Sequence, residues 1–280
     1  MSKKRVILMS DIHYNCADWF GIDRKESIEQ LCDDLAKEYA KAPVDAVLLL
    51  GDYSLDFWAW DTKGCYINEG VSRTRQFVKQ YLDRLVPDGV SVRMIAGNHE
   101  QYGEALWREM TGYPRRDHIV IGDILFILSD TFGADLDPTE HSDGTYCGAD
   151  VAEIRELMSR YPNKKVILCA HWFDMDMESE DFRELLRNED RILCLFCGHN
   201  HRSAVANTGE DAGNKPIGYT GQYSYSNEPN MVRSLHGYRL LEFDEKELSC
   251  RYIVHPHRYR IGDVYFTNEY SEQDKLEISF

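Results

Sequence analysis

Along the chain, short and wholly apolar runs alternate with longer stretches in which apolar residues recur every three or four positions. The runs Arg5–Ser10, Asp45–Leu50, Val90–Ala96, Lys165–Ala170 and Arg191–Cys197 have the length and continuity of buried strands. Between them, Glu26–Lys41 puts Ile28, Leu31, Leu35 and Tyr39 on one helical face and is ended by Pro43. Val71–Leu85 does the same with Phe77, Tyr81 and Leu85, and Glu104–Met110, Val151–Arg160 and Asp181–Arg187 predict three further helices. Ser179 caps the last of these, with Glu180 and Asp181 favoured at its positive end. Ile119–Ser129 predicts two strands around the turn Gly122-Asp123. Strand alternating with helix up to about residue 207 predicts an α/β unit. Beyond it, Thr208–Lys215 is a polar loop, and Pro216–Thr220, Tyr238–Phe243 and Ser249–Val254 predict short strands. The stretch 208–280 is then a strand-rich end that completes a second sheet within one domain spanning 1–280. Phe132–Cys147, rich in Gly, Asp and Thr, predicts a long irregular loop, either solvated surface or a lid over a substrate.

Composition narrows the partners. With 43% hydrophobic and 29% charged residues the chain is globular rather than disordered. Its 48 acidic against 32 basic side chains leave a net charge of −16, which repels nucleic-acid backbones unless a metal supplies local positive charge. The longest apolar runs fall far short of the ~18 residues of a membrane-spanning helix. Lys3, Lys4 and Arg5 imitate the start of an export signal, but Asp11 interrupts the apolar stretch after Met9, so no signal is read. Eight cysteines are scattered, and Cys194-Leu-Phe-Cys197 lies in an apolar strand run, which points to core packing rather than redox or zinc chemistry. Reduced thiols and no export signal together predict a cytoplasmic location.

Five short polar blocks share one position, each where an apolar run ends. They are Asp11-Ile12-His13, Gly51-Asp52, Gly97-Asn98-His99-Glu100, His171 and Gly198-His199-Asn200-His201. In open α/β sheets the loops beyond the carboxyl ends of strands converge on one crevice. With Asp11, Asp52, Asn98 and their five histidines, those loops would bring two carboxylates, one amide and five imidazoles together. Mixed imidazole and carboxylate donors suit divalent first-row ions such as Mn, Fe, Zn, Co or Ni. The eight groups exceed what one ion takes, whereas two ions sharing a bridging carboxylate would use most of them.

This order of motifs resembles the calcineurin-like metallophosphoesterase superfamily, over about residues 5–205. The resemblance implies a two-sheet α/β sandwich flanked by helices, with the site at one edge. It implies one ion held by Asp11, His13, Asp52 and His201 and a second held by Asp52, Asn98, His171 and His199, with Asp52 bridging and Mn, Fe or Zn as the metals. It also implies that His99 binds no metal and lies near the leaving group of a bound phosphate ester. The reaction implied is hydrolysis of a small phosphate monoester or diester by a hydroxide bridging two cations about 3.5–4 Å apart. His99 would protonate the leaving alkoxide, worth about 10²–10⁴ in rate. In one respect the sequence departs from the pattern. Many members carry an acid three positions after the bridging Asp, where it orients the catalytic His; here that position is Leu55 and Asp56 follows, so the residue orienting His99 stays open. A non-catalytic protein-binding scaffold on the same fold is the alternative, and the presence of all the ligands and of His99 speaks against it. A nuclease is disfavoured by the acidity, and a protein phosphatase by the lack of recognisable phosphate-gripping arginines.

Other polar residues stay outside this constellation. His118, His141, His236, His255 and His257 lie beyond the blocks, and His255-Pro-His257 has two-ligand spacing with no carboxylate nearby in sequence. Arg115-Arg116 reads as a solvated pair, and Asp174–Asp190, with eight acids and two arginines, as a solvated helix face. Tyr14, Tyr53, Tyr102 and Trp172 adjoin motif residues and either line the pocket or pack in the core.

Overall fold

The computed structural model describes residues 3–14, 24–58, 64–134, 136, 143–224, 235–261 and 264–280, without the side chains of Arg24 and residues 259–266. Cys16, His141 and much of the expected irregular loop lie outside the described residues.

Two six-stranded mixed sheets face each other. The first is built on three parallel strands, β1 (Lys4–Met9), β2 (Ala46–Leu50) and β3 (Ser91–Ile95). The second is built on β5 (Ile124–Ser129), β6 (Lys165–Ala170) and β7 (Ile192–Cys197), also parallel, with β4 (Asp117–Ile121) antiparallel at one edge. Past residue 204 the strands are divided between the sheets. β8 (Val205–Asn207) and β9 (Pro216–Tyr219) join the second, whereas β10 (Gly237–Phe243), β11 (Glu247–Val254) and β14 (Ser271–Ser279) extend the first beyond β1. A separate hairpin pairs β12 (Arg258–Ile261) with β13 (Val264–Thr267).

The alternation of side chains along a strand explains the layers. Val6 and Leu8 of β1 point into the space between the sheets, where they meet Phe126, Ile167 and Phe196 of the second sheet. Ile7 and Met9 point the other way, against α1 (Arg24–Lys41), α3 (Arg73–Leu85) and α4 (Glu104–Thr111). The second sheet is covered on its outer face by α5 (Val151–Arg160) and α6 (Glu180–Asn188), which bury Ile154, Leu157, Phe182 and Leu186. Strands buried on both faces are apolar throughout, so these runs were readable without knowledge of partners. α6 starts as expected: Ser179 accepts from the Phe182 N–H, and Asp150 does the same for α5. A five-residue helix, α2 (Cys65–Glu69), was not predicted.

Cys194 and Cys197 are free thiols buried in β7, as the apolar run implied. Cys65, however, is disulfide-bonded, so uniformly reduced thiols are no longer a premise for a cytoplasmic location. Among the described residues no helix is long and apolar enough to cross a membrane.

Candidate metal centre

All five blocks lie at the carboxyl ends of parallel strands: β1, β2 and β3 in one sheet, β6 and β7 in the other. The sandwich therefore brings them to one edge. Backbone bonds lace the loops together. Asp11 N–H donates to Gly51 O at 3.1 Å, His13 N–H to Asp52 O at 3.0 Å, and Gly198 N–H to His171 O at 2.8 Å. The approach needs a glycine, because a Cβ on Gly97 would stand 2.2 Å from Asp52 Oδ1.

Asp52 is the centre of the arrangement. Its Oδ2 lies 3.2 Å from His13 Nε2 and 3.2 Å from His171 Nε2, one imidazole from each sheet. On one side, Asp11 Oδ1 is 3.3 Å from His201 Nε2 and 3.9 Å from His13 Nε2. On the other, Asn98 Oδ1 is 2.8 Å from His171 Nε2 and 3.0 Å from His199 Nδ1. Asp11, His13 and His201 can gather their ligand atoms within 4.8 Å of one another, and so can Asp52, His171 and His199. His99 falls in a third such group with His13 and Asp52, so distance alone does not separate it from the ligands.

These residues fit a metal by more than proximity. Asp11, His13, Asp52, His199 and His201 all have φ between 50° and 68°, a left-handed conformation that costs a residue with a side chain on the order of 1–3 kcal/mol. The Asp11 Oδ1 atom is buried and makes no hydrogen bond. Burial pushes His13 down to about 4, and burial with His171 beside it pushes His199 down to about 4, which leaves neutral imidazoles able to coordinate. Burial opposes charge on His171 as well, but Asp52 outweighs it and holds that imidazole at about 9. Two buried aspartates thus draw a proton into a site short of positive charge, the deficit that cations fill.

The second sphere holds residues whose roles the sequence did not disclose. Glu100 stands in the third block and is fully buried. Its Oε2 accepts from Asp52 N–H at 2.8 Å and Gly97 N–H at 2.9 Å, and its Oε1 from Tyr53 N–H and Ser54 N–H, so it fixes the turn that aims Asp52. Burial and the Asp52 charge push its carboxyl up to about 8. Arg115 is not solvated as expected. It is buried, forks onto Asp130 and donates to Glu100 O and Tyr102 O, whereas Arg116 is exposed on Asp150 and Glu153. Tyr53 and Tyr102 are core residues: the Tyr53 hydroxyl bonds Leu49 O and Ile95 O, and that of Tyr102 bonds Asp56. Tyr14 packs edge-on against Tyr81. Trp172 lines the site, its ring 4.3 Å from that of His199, with Phe132 beside both. The acidic run 174–190 is also not uniformly solvated, since Glu178 is buried and accepts from Tyr146 and Ala149.

Asp56, the acid nearest the departed family position, does not reach His99. It accepts from Arg73 N–H, Thr74 N–H and the Ser72 hydroxyl at the start of α3. His118, His236, His255 and His257 lie apart from the centre. His118 bonds Tyr161, while His255 and His257 surround Asp34 of α1, a carboxylate that sequence spacing did not bring near them.

A family model for calcineurin-like phosphoesterases matches residues 4–203. No curated protein matches. Among solved structures, PhoD is similar with a TM-score of 0.61 at 11% identity, over 100% of this chain and 70% of that one. The purple acid phosphatase PPD1 of yellow lupin (Lupinus luteus) seeds is similar with a TM-score of 0.57 at 15% identity. That match covers 99% of this chain and 54% of the other, so this chain spans about half the length of the lupin protein. Vacuolar Protein Sorting 29 of Cryptosporidium parvum is matched over 100% of both chains, at 12% identity and a TM-score of 0.44.

Proposed function

The chain belongs to the calcineurin-like phosphoesterase family, and from that premise we propose that it hydrolyses small phosphate esters at a centre of two metal ions. The observation that carries this reading is the position of Asp52, whose single Oδ2 lies 3.2 Å from an imidazole of each donor group. Asp11, His13 and His201 would hold one ion, Asn98, His171 and His199 the other, and Asp52 both. When bound, such ions supply positive charge for the phosphoryl oxygens and lower the pKa of coordinated water. Mn, Fe or Zn suits this donor set.

The chain's own groups do the rest. Glu100 and the left-handed turns hold the carboxylates in place before any ligand arrives. Trp172 and Phe132 wall the His199 side, and Trp58 packs on the His99 ring at 5.2 Å. His99 Nε2 is 3.8 Å from Asp52 Oδ2, so this nitrogen faces the reaction centre. It delivers its proton to the departing ester oxygen as the P–O bond breaks. The net charge of −16 favours small esters over long polyanions.

The test is elemental analysis of the purified protein together with hydrolysis of 4-nitrophenyl and bis(4-nitrophenyl) phosphate in added Mn²⁺. Turnover abolished by chelator and restored by metal is expected. Stoichiometric metal with no turnover of either ester would replace this reading with the scaffold. His99→Ala is expected to keep its metal and lose about 10²–10⁴-fold on esters with poor leaving groups.

A further inference from the structure

His99 has two ring nitrogens, and only one faces the metal centre. The other, Nδ1, is buried and has no hydrogen-bond partner. Asp143, from the segment between β5 and α5, presents an Oδ1 that is likewise buried and without a hydrogen-bond partner. The two atoms lie 3.9 Å apart, about 1 Å beyond a hydrogen bond. Such bonds are often long in a free enzyme and tighten when substrate binds. The approach is built into the backbone. Gly144 has φ +67°, and a Cβ there would stand 2.8 Å from Asn98 O, so the segment lies directly on the Asn98–His99 turn. The local candidates for the same duty are taken. Leu55 is apolar and buried, and Asp56 is committed to the start of α3.

We propose that Asp143 is the positioning residue for His99: its carboxylate accepts the Nδ1–H and aims the Nε2–H at the leaving oxygen. The proton on Nε2 passes to the ester oxygen as its bond to phosphorus breaks, and the ring keeps its Nδ1–H on Asp143 until water returns the lost proton. This rests on the reading of His99 as the acid. Backbone contacts alone do not fix the ring, since the His99 N–H bond to Asp52 Oδ1 at 3.2 Å sets the chain and not the imidazole.

The test compares wild type, Asp143→Ala, Asp143→Glu, His99→Ala and the double variant Asp143→Ala/His99→Ala, all loaded with Mn²⁺ and matched for metal content. The substrates are phosphate esters graded from 4-nitrophenol to alkyl leaving groups. Asp143→Ala is expected to lower kcat on alkyl esters about tenfold more than on the 4-nitrophenyl ester, with KM little changed. Asp143→Glu should recover part of that loss, and the double variant should be no worse than His99→Ala. A second readout needs no turnover. In metal-free protein with ¹⁵N-labelled histidine, the His99 Nδ1–H signal, identified by its loss in His99→Ala, should move or broaden in Asp143→Ala. If Asp143→Ala follows wild type across the series while His99→Ala loses the alkyl esters, Asp143 has no part and His99 keeps its own. If His99→Ala is itself flat across the series, the reading of His99 fails and the proposal goes with it.

Discussion

The molecule holds two buried groupings of histidine with aspartate. One lies at the strand ends around Asp52; the other lies against α1, where Asp34 meets His257 Nε2 at 2.8 Å and the Tyr223 hydroxyl, with His255 bonded to Tyr238 at 3.0 Å. Both have the residue types of a metal site, and both are nearly closed to solvent. They differ in backbone and in protons. Five of the seven non-glycine residues with positive φ, among the described residues, belong to the first grouping and none to the second. Around Asp34, the Tyr223 hydroxyl and Lys37 supply hydrogens to the carboxylate. Around Asp52 and Asp11, one oxygen of each carboxylate accepts from a backbone N–H, with the Ser10 hydroxyl added on Asp11, while the other, Asp52 Oδ2 or Asp11 Oδ1, faces imidazoles. Closeness of carboxylate and imidazole therefore does not by itself mark a metal centre. What sets the first grouping apart is backbone strain concentrated on its donors together with carboxylate oxygens that no N–H or O–H outside the imidazoles reaches, and bound cations would compensate both.

The largest expected effect separates the two groupings by function. Asp52→Asn should lose metal from both ions and lower ester hydrolysis by about 10³-fold or more. Asp34→Asn should leave metal content and turnover at wild-type values. Elemental analysis and initial rates on one preparation of each decide it, and metal lost from the Asp34 variant would erase the distinction. Stability should show the reverse. Asp34→Ala strips a buried acceptor from Tyr223 and His257 and should cost about 1–3 kcal/mol in urea unfolding of the metal-free protein.

The pH dependence of that stability is a smaller effect with a definite sign. Burial raises the Asp34 carboxyl, but the bonds from His257 and Tyr223 outweigh it and hold it below its ordinary value of 3.8. A group whose pKa is depressed by folding contributes its full stabilisation above the unfolded value and loses it as pH falls through the folded one. The stability gap between wild type and Asp34→Asn should accordingly be level at and above weakly acidic pH and narrow below the ordinary carboxylate range. A gap that widens on acidification would mean that Asp34 is not ionised in the fold.

What the sequence disclosed follows from the same physics. Parallel strands buried on both faces are apolar without interruption, and each ends in a turn whose polar residues stand out, so the five blocks and their common edge were readable. Strand β14 was not, because it is a polar edge strand with Leu276 as its buried side chain. Arg115 looked solvated because its partners, Asp130 and two carbonyls, come from other elements. Glu100 was visible as a letter of the third block, but its four N–H donors lie on the turn after β2 and on Gly97. Asp143 and Asp34 belong to the same class: nothing in their own neighbourhoods names the imidazole they approach.

The smallest effect tests the strain itself. His201 has φ 53°, and its side chain, at 16% exposure, is the least covered of the first ion's proposed donors. In the metal-free protein, His201→Gly removes the left-handed penalty, on the order of 1–3 kcal/mol. It adds backbone freedom to the unfolded chain, which offsets roughly 1 kcal/mol, and it gives up an edge contact with the His13 ring and the partly exposed pair of its Nε2 with Asp11 Oδ1 at 3.3 Å. The sum should be a stability equal to wild type or higher by up to about 1 kcal/mol. His257→Gly, at a position without positive φ, has no strain to release and loses the Asp34 bond, so it should be less stable than wild type. Adding Mn²⁺ should then reverse the first result, because binding to the folded state raises wild-type stability more than that of a variant lacking a donor. Thermal melts of the three proteins with and without metal measure all of this. Equal destabilisation by both glycines in the absence of metal would show that the left-handed turns carry no stored cost, and the contrast between the two groupings would then rest on their proton donors alone.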